Sequence, residues 1–300
     1  MKRLSIIIVT YNSERDIYDC LTAIDSYSDL PREELELIIV DNQSRSPQPM
    51  FEKIREIWGS DSDIILIEND RNGGYGQGNN VGIRLATAPV VMIMNPDVRL
   101  MEPVFKTALK AFDDDEKLIM YGMKQMLSAD IKSPLSFDCI SRMNGYLSTL
   151  LTTLCNRIDC YLPHYMYFSG SCFFIRKKNF EDIGLFDEDL FLYGEEDDIH
   201  ERLSRRYGPH FFYNRHLHYI HLALNRIPTL DLEQKMLQSI IRSNEKKGYP
   251  ARRIFTNRLQ NTHIRYWREW LRVKRGKGNK ELLETLKQFR QILKTQISNT

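Results

Sequence analysis

Four short apolar runs rich in β-branched residues constrain the fold of this 300-residue chain most strongly. They occupy residues 4–9, 35–40, 64–67 and 90–94. The runs are mostly continuous rather than alternating, which is typical of strands buried on both faces. Segments with helical spacing separate them, at residues 13–27, at 49–58 and from residue 79 onward. Alternating strands and helices predict an α/β fold with a mainly parallel sheet flanked by helices.

The rest of the chain divides near residue 225. Strands are predicted at residues 118–124 and 167–175, the second interrupted by Gly170, where another backbone or a ligand would come close. The Ser- and Leu-rich stretch between them is interpreted as irregular, substrate-facing loops. Long helical segments then follow at residues 230–246, 257–274 and 280–297. We therefore predict a catalytic domain at residues 1–225 and a helical C-terminal extension at residues 226–300.

Composition limits the classes of binding partner and the cellular compartment that we expect for this protein. The net charge of +2 is too small to require nucleic acid, so no nucleic-acid partner is expected. The five cysteines form no CxxC pair, which favours reduced thiols and a cytoplasmic location. Since no uncharged apolar stretch reaches the ~18 residues that span a bilayer, we expect the protein to work in water or at a membrane surface.

Polar residues follow each of the four predicted strands. In open α/β sheets ligands bind beyond the carboxyl ends of the strands, so these loops predict one shared binding rim. The loops contain Thr10, Tyr11 and Asn12, then Asp41, Asn42 and Ser44, then residues 69–78, and finally Asn95 and Asp97.

Each loop also has a purely structural interpretation. Asp41 could bond a base or ribose, but an Asx-turn or helix cap is the stronger interpretation for it in isolation. Asp97 could hold a divalent cation that bridges two phosphates, or it could simply complete an Asn-Pro-Asp turn. The Gly-rich segment 72–80 lets backbone amides approach a phosphate at a helix N-terminus. It matches neither GxGxxG nor a P-loop, which disfavours an ATPase or a dinucleotide enzyme.

Two further groups carry candidate chemistry. Four consecutive acids, Glu195 to Asp198, would favour the start of a helix. Clustered like charges also raise carboxylate pKa values, which suits one acid to act as a general base, while Arg202 would neutralise part of the cluster. In a later predicted strand, His216, His218 and His221 supply imidazoles that could add a metal ligand from a distant segment.

Together these segments resemble the family 2 glycosyltransferases of the GT-A fold, particularly the bacterial rhamnosyltransferase-like branch. The resemblance covers residues 4–225 and rests on six ordered motifs. They lie at residues 7–12, 39–44, 69–82, 94–98, 169–171 and 183–198.

The resemblance implies roles for particular residues. Thr10, Tyr11, Asp41 and Asn72 would line the nucleotide pocket, and we add to it their neighbours on the rim. These are Asn12, Asn42, Gly73, Gly74, Asn79 and Asn95.

The same resemblance implies a metal site and a base. Asp97 would bind Mg²⁺ or Mn²⁺ as the last acid of a DxD-type motif whose first Asp is Asn95 here, and His221 would approach the metal and the diphosphate. Glu196 falls where the family has its catalytic Asp. Because a longer side chain shifts the carboxylate, Glu195 and Asp197 stay rivals for the role of base.

We therefore expect an inverting glycosyltransferase that moves a sugar from a nucleotide-sugar donor to a glycan or lipid-linked acceptor in cell-surface polysaccharide synthesis. The alternatives are a non-catalytic nucleotide-sugar or glycan-binding module and a nucleotidyltransferase, whose basic Gly-rich N-terminal signature is absent. Basic residues and two tryptophans within residues 257–280 fit peripheral contact with the inner face of the plasma membrane. A helix that packs its Trp face on the catalytic domain fits them equally well.

Overall fold

The computed structural model describes residues 1–59, 64–222 and 228–300. Its strands are β1 (Leu4–Thr10), β2 (Leu35–Asp41), β3 (Ile64–Glu68), β4 (Val90–Met94), β5 (Val98–Leu100), β6 (Met120–Ser128), β7 (Ile131–Lys132), β8 (Phe137–Cys139), β9 (Met166–Phe168), β10 (Cys172–Arg176) and β11 (Phe211–His221). Its helices are α1 (Glu14–Tyr27), α2 (Pro47–Trp58), α3 (Gly74–Leu85), α4 (Phe105–Asp114), α5 (Gly145–Ile158), α6 (Lys177–Asp182), α7 (Glu195–Tyr207), α8 (Leu230–Lys246), α9 (Ala251–Lys274) and α10 (Lys280–Asn299).

The main sheet has the strand order β3-β2-β1-β4-β10-β6-β11-β5, with β7 beside β6. Strands β1 to β4 are parallel, whereas β10 runs antiparallel to both of its neighbours. The prediction of a mixed, mainly parallel sheet flanked by helices is confirmed. Because Thr10 pairs with Asp41 and Ile8 with Met94, these strands end at the same edge of the sheet.

Burial on both faces explains the continuous apolar runs. On one face of β1, Ile6 and Ile8 pack in a core with Leu21 of α1. On the other face, Ile7 packs with Ile83 of α3. All three isoleucines of β1 are fully buried, and each contributes about 2 kcal/mol of hydrophobic stabilisation. Neighbouring residues of one strand therefore supply two separate cores.

The irregular, loop-like interpretation of the Ser- and Leu-rich stretch was wrong. It contains α5 and the paired strands β8 and β9, which form a second small sheet. Asn144 caps α5 by accepting hydrogen bonds from the amides of Tyr146 and Leu147. Helical periodicity was obscured because Ser148, Thr152 and Asn156 face inward, so the buried side of α5 is largely polar.

The single strand predicted at residues 167–175 is also corrected. The chain turns at Gly170, so that β9 belongs to the small sheet and β10 to the main sheet. The predicted interruption at Gly170 is therefore the point at which the chain passes from the small sheet to the main sheet.

The predicted domain boundary at residues 225/226 falls within residues 223–227, outside the described residues. Helices α8, α9 and α10 share a core of their own, which includes Leu237, Phe255 and Phe289. The extension also packs on the rest of the chain, since α9 contacts the beginning of α5. Among the described helices, none is both long and apolar enough to cross a bilayer.

A buried carboxylate joins two helices of the extension. Glu233 of α8 is 1% exposed and accepts hydrogen bonds from Arg258 at 2.7 Å and from Arg265 at 2.6 Å. Burial alone would raise the pKa of Glu233, but the charges and hydrogen bonds of the two arginines outweigh it and lower this pKa. The carboxylate therefore stays charged and links α8 to α9.

We predict that Glu233→Gln lowers the free energy of unfolding by about 3 kcal/mol near neutral pH, because it leaves two guanidinium groups without their buried partner. The loss should shrink as the pH falls from the ordinary glutamate value of 4.5 through the lowered pKa of folded Glu233, because the stabilisation is complete only above the ordinary value and disappears below the lowered one. Asp231→Asn removes an exposed carboxylate of the same helix and serves as the control, with an expected change under about 0.5 kcal/mol. Equal effects of the two substitutions on urea denaturation would contradict the prediction.

Candidate active site

The loops after β1 and β2 are held together by one buried carboxylate. Thr10 Oγ1 donates to Asp41 Oδ1 at 3.0 Å, while Ser44 donates to Asp41 from its amide at 2.8 Å and from its hydroxyl at 2.6 Å. The amide of Asn12 in turn donates to Ser44 Oγ at 2.7 Å. Asp41 therefore forms the turn that its sequence context favoured in isolation. Above this network, Tyr11 and Asn12 are exposed at the rim.

The Gly-rich segment begins α3, so the predicted helix N-terminus is confirmed, although it lies at Gly74 rather than residue 79. Gly74 has a φ of +89°, and a β-carbon there would lie 1.8 Å from the carbonyl oxygen of Phe191. Asn42 donates to the carbonyl of Gly74 at 2.8 Å, and Asn72 accepts from the amide of Gly74 at 3.1 Å. These two side chains, both assigned to the nucleotide pocket, hold the start of the helix.

The remaining pocket candidates differ in exposure. Gly73 and Asn95 are half-buried at the rim. Asn79 is 1% exposed and donates to the carbonyl of Tyr75 at 2.9 Å, within its own helix. Its Oδ1 atom is buried without a hydrogen-bond partner in the described part of the chain.

The acidic motif opens α7 next to the turn that enters β10. A β-carbon on Gly170 would lie 1.8 Å from Glu196 Oε1, so the carboxylate of Glu196 occupies the space above this glycine. Tyr75 donates to the carbonyl of Gly170 at 2.5 Å, and the amide of Asn95 donates to the carbonyl of Ser171 at 2.8 Å. This turn therefore connects Glu196 to the loop after β4 and to α3. The close approach predicted at Gly170 is that of the Glu196 side chain.

The neighbouring acids have other surroundings. Glu195 is 1% exposed, and its Oε1 atom has no hydrogen-bond partner in the described residues. Asp197 accepts hydrogen bonds from the amide and the hydroxyl of Ser141. Asp198 lies 2.6 Å from Arg202, as the sequence predicted, and 3.5 Å from Lys247. Among the four acids only Glu196 is half-buried, whereas the others are buried.

The environment raises the pKa of three of these acids. Burial raises the pKa of Glu196 and the charge of Asp197 raises it further, while backbone hydrogen bonds, including one from Gly170, oppose the rise. Burial raises the pKa of Glu195 well above its ordinary value, and the charge of Glu196 adds to the effect. The pKa of Asp197 is also raised, chiefly by burial. A raised pKa makes a carboxylate a stronger proton acceptor than an ordinary glutamate or aspartate, which suits a general base.

The turn after β4 meets the end of β11. His221 Nε2 lies 3.3 Å from Asp97 Oδ1, and the amide of Leu222 donates to the carbonyl of Asp97 at 2.9 Å. The Nε2 atom is buried and makes no hydrogen bond to the described residues. His218 instead bonds to Glu102 at 2.7 Å, and His216 is exposed. Of the three histidines, His221 is the one that faces Asp97.

The pair of Asp97 and His221 fits a divalent cation held mainly by other groups. A carboxylate oxygen from the turn before β5 and an imidazole nitrogen from the end of β11 offer two ligands. Within the described ranges no group of three or more His, Cys, Asp or Glu side chains could hold a metal. Mg²⁺-type ions are commonly bound by one or two carboxylates together with substrate phosphates and water, so the two-residue arrangement is compatible with such an ion.

Sequence reasoning assigned no role to Tyr75, whose hydroxyl bonds to the turn at Gly170 beside the acidic helix. The glycine signalled a close contact, but the sequence did not identify its partner. Nothing in the local pattern distinguished Tyr75 from other aromatic residues, because its hydroxyl bonds to a turn that is distant in sequence.

We predict that Glu196→Gln lowers the pKa of Glu195, because a neighbouring negative charge disappears while the burial of Glu195 persists. Carboxyl ¹³C NMR titration of glutamate-labelled protein would measure the shift. Glu181→Gln, which removes a half-exposed carboxylate from α6, should leave the titration of Glu195 unchanged. An unmoved Glu195 resonance in the Glu196 variant would refute the coupling.

Comparison with known proteins supplies a family. The family model for glycosyl transferase family 2 matches residues 5–184. This range contains the rim loops, Asp97 and Gly170, and it ends before α7 and His221.

Two curated relatives match most of the chain. The low-salt glycan biosynthesis hexosyltransferase Agl10 of Haloferax volcanii is 30% identical over 210 residues, which are 67% of this chain and 62% of the relative. The uncharacterized glycosyltransferase YfnE of Bacillus subtilis is 24% identical over 233 residues, covering 65% of this chain and 58% of the relative. The chain thus spans about six-tenths of the length of these relatives.

A solved structure shares the fold at low sequence identity. The mannosyltransferase PcManGT from Pyrobaculum calidifontis, in complex with GDP-Man and Mn²⁺, has a TM-score of 0.60 and 17% identity. The match covers 96% of this chain and 73% of PcManGT. The predicted GT-A fold is confirmed by this likeness.

Proposed function

The chain belongs to glycosyl transferase family 2, and from this membership we propose that it transfers a sugar from a nucleoside-diphosphate sugar to an acceptor hydroxyl, with inversion at the anomeric carbon. The observation that carries the proposal is the position of Glu196. Its half-buried carboxylate lies above Gly170. The turn that contains Gly170 is hydrogen-bonded to the loop between β4 and Asp97. A proton acceptor and a candidate diphosphate site thus occur at one edge of the sheet.

The donor would bind across the ends of β1, β2 and β4. Asp41 holds the loops that carry Tyr11 and Asn12, which leaves these two exposed side chains for the nucleotide. The N-terminus of α3, at Gly74, adds a positive dipole end near the same rim. Agl10 is named a hexosyltransferase and PcManGT was solved with GDP-Man, which supports a hexosyl donor.

Glu196 would deprotonate the acceptor hydroxyl as that oxygen attacks the anomeric carbon. Its raised pKa makes it a stronger proton acceptor than an ordinary glutamate, and the missing β-carbon of Gly170 leaves room for its carboxylate. Glu195 is enclosed and Asp197 is bonded to Ser141, so both rivals are less accessible than Glu196. Inversion follows from a single displacement, because no second acid is assigned beneath the anomeric carbon.

Asp97 and His221 would hold Mg²⁺ or Mn²⁺ at this site, and PcManGT contains Mn²⁺ with its donor. When bound, the ion offsets the negative charge of the diphosphate leaving group. The buried, unbonded Nε2 of His221 is the feature of this chain that supports such a ligand.

The acceptor is proposed to be a glycan or lipid-linked oligosaccharide of cell-surface polysaccharide synthesis, reached from the cytoplasm. Agl10 is named for glycan biosynthesis, which supports this class. Contact of residues 257–280 with the inner face of the plasma membrane remains part of the proposal. In the structure Arg265 bonds to Glu233 and Tyr266 lies beneath Arg290, whereas Trp267 is exposed. One side of α9 therefore packs inward and another side is free.

Two alternative functions would use the same polar loops at the sheet edge but would differ in whether they need the acidic residues. A non-catalytic nucleotide-sugar or glycan-binding module would not need a half-buried carboxylate with a raised pKa. A nucleotidyltransferase would need a basic Gly-rich N-terminal signature, which the sequence lacks. Release of radiolabelled sugar from a panel of UDP-, dTDP- and GDP-sugars would separate transfer or hydrolysis from binding alone.

We predict that Glu196→Gln lowers kcat by about 10²–10⁴-fold and leaves donor affinity within about twofold, since a general base acts in the reaction step. In the unmodified enzyme kcat/KM should fall as the pH decreases through an apparent pKa above the ordinary glutamate value of 4.5, because the base must be unprotonated. Glu181→Gln is the matched control and should retain full activity. Undiminished turnover in the Glu196 variant would remove Glu196 from the mechanism.

We predict that Asp97→Asn and His221→Ala each weaken Mn²⁺ binding, in the presence of the donor's nucleoside diphosphate, by about tenfold or more. Electron paramagnetic resonance of free Mn²⁺ would measure this without reliance on turnover. His216→Ala removes an exposed imidazole from the same strand and should not change the affinity. Unaltered Mn²⁺ affinity in both site variants would exclude the proposed ligand pair.

A further inference from the structure

Helix α5 buries a largely polar side and exposes an apolar side, which is the reverse of an ordinary surface helix. Its buried side is composed of Gly145, Ser148, Thr152, Cys155 and Asn156. Its exposed side carries five large apolar residues, which we call the outer face of α5: Tyr146, Leu147, Leu150, Leu154 and Ile158. Surface helices normally bury their apolar stripe and expose the polar one, so this reversal needs an explanation outside the folded core.

Hydrogen bonds on the inner side fix this orientation. Asn156 accepts from the amide of Ser136 at 2.9 Å and donates to the carbonyl of Phe137 at 2.8 Å. Thr152 donates to Asp138 at 2.6 Å. At the helix start a β-carbon on Gly145 would lie 2.0 Å from the carbonyl oxygen of Asn257 in α9, so only glycine fits. Rotation of α5 to bury its leucines would break all of these contacts.

The outer face of α5 is long and continuous. Tyr146, Leu150, Leu154 and Ile158 recur every fourth residue and are 47%, 54%, 47% and 65% exposed. Isolated exposed apolar residues are common on proteins, but a contiguous apolar stripe marks a site of interaction. Four turns of one helix thus present a ridge of apolar side chains to the surroundings.

Apolar and basic side chains of α9 continue from this ridge. The hydroxyl of Tyr146 lies 3.3 Å from Nδ1 of His263. One and two turns beyond His263 on α9 are Trp267 and Leu271, which are 53% and 44% exposed. Exposed basic residues surround the end of α9, and we call them the basic end: Arg268, Arg272, Lys274, Arg275 and Lys277. Helix α5 itself has no acidic residue, and its one charged side chain, Arg157, is exposed.

We propose that the outer face of α5 and the basic end of α9 form one docking surface for an anionic lipid bilayer. Aliphatic residues enter the interface between headgroups and acyl chains, Trp267 lies at headgroup level, and the cations attract acidic lipids. A second copy of the chain could also cover leucines, but self-association would bring two basic ends together, and like charges oppose this. The charge therefore favours a membrane as the occupant.

The position of this surface relates it to the acceptor. Helix α5 begins four residues after Ser141, whose amide and hydroxyl bond to Asp197 beside Glu196. Docking through α5 would therefore hold the acidic helix α7 near the bilayer. The inference deepens the proposed lipid-linked acceptor and rests on that proposal for its purpose, while its evidence lies in α5 and α9 alone.

The test is co-sedimentation of the full chain with phosphatidylcholine vesicles that contain or lack phosphatidylglycerol. The wild-type protein should bind the anionic vesicles, and the double substitution Leu150→Glu with Leu154→Glu should weaken binding by about tenfold or more. Arg268→Gln with Arg275→Gln should weaken binding to anionic vesicles selectively. Ile57→Glu, which places one glutamate on a 51% exposed isoleucine of α2, is the control for an added surface carboxylate and should bind as the wild type does.

Melting temperature and nucleotide-sugar turnover without lipid should be the same in all of these proteins. This readout separates the two proposals, because loss of vesicle binding with intact turnover supports docking independently of catalysis. The docking surface would be overturned if the wild-type protein bound neither kind of vesicle. It would also be overturned if the leucine variant bound the anionic vesicles as tightly as the wild type. A wild-type dimer that the leucine variant dissociates, without vesicle binding, would overturn it in favour of self-association.

Discussion

The site depends on the register of the central strands, which is set by burial on both of their faces. Thr10 pairs with Asp41, and Ile8 pairs with Met94, so three parallel strands end together. A slip of one residue would move Ile7 and Ile8 into each other's cores and would break the hydrogen bond between Thr10 and Asp41. The polar loops are thus placed at one edge by apolar packing several residues away.

The antiparallel strand β10 brings the acidic helix to this edge. Because β10 runs against β4, its beginning lies beside the end of β4, where Ser171 accepts a hydrogen bond from Asn95. Gly170 then leaves space for the carboxylate of Glu196. The candidate base and the candidate metal ligands are therefore joined through backbone hydrogen bonds of one turn, which makes their relative position a property of the sheet.

Much of this arrangement could be predicted from the sequence, because continuous β-branched runs and the polar residues after them are local signals. The roles expected of Glu196, Asp97 and His221 came from the family resemblance rather than from these local signals. The contact of Glu196 with Gly170 could not be predicted, since it joins segments that meet only after the sheet forms. Helix α5 was missed for a different reason: three of its four leucines are exposed, so its pattern does not mark a buried stripe. Asp41, which the family resemblance assigns to the nucleotide pocket, bonds to Thr10 and Ser44, in agreement with the turn that its local sequence favours.

The central claim is that one sheet edge holds the nucleotide-sugar, a cation and the base together. Crystals of the protein with Mn²⁺ and a non-hydrolysable nucleotide-sugar, examined by anomalous scattering at the manganese edge, test it most directly. The account predicts an anomalous peak between Asp97, His221 and the diphosphate, with the anomeric carbon facing the carboxylate of Glu196. A nucleotide bound away from the ends of β1, β2 and β4, or a sugar directed away from Glu196, would contradict it.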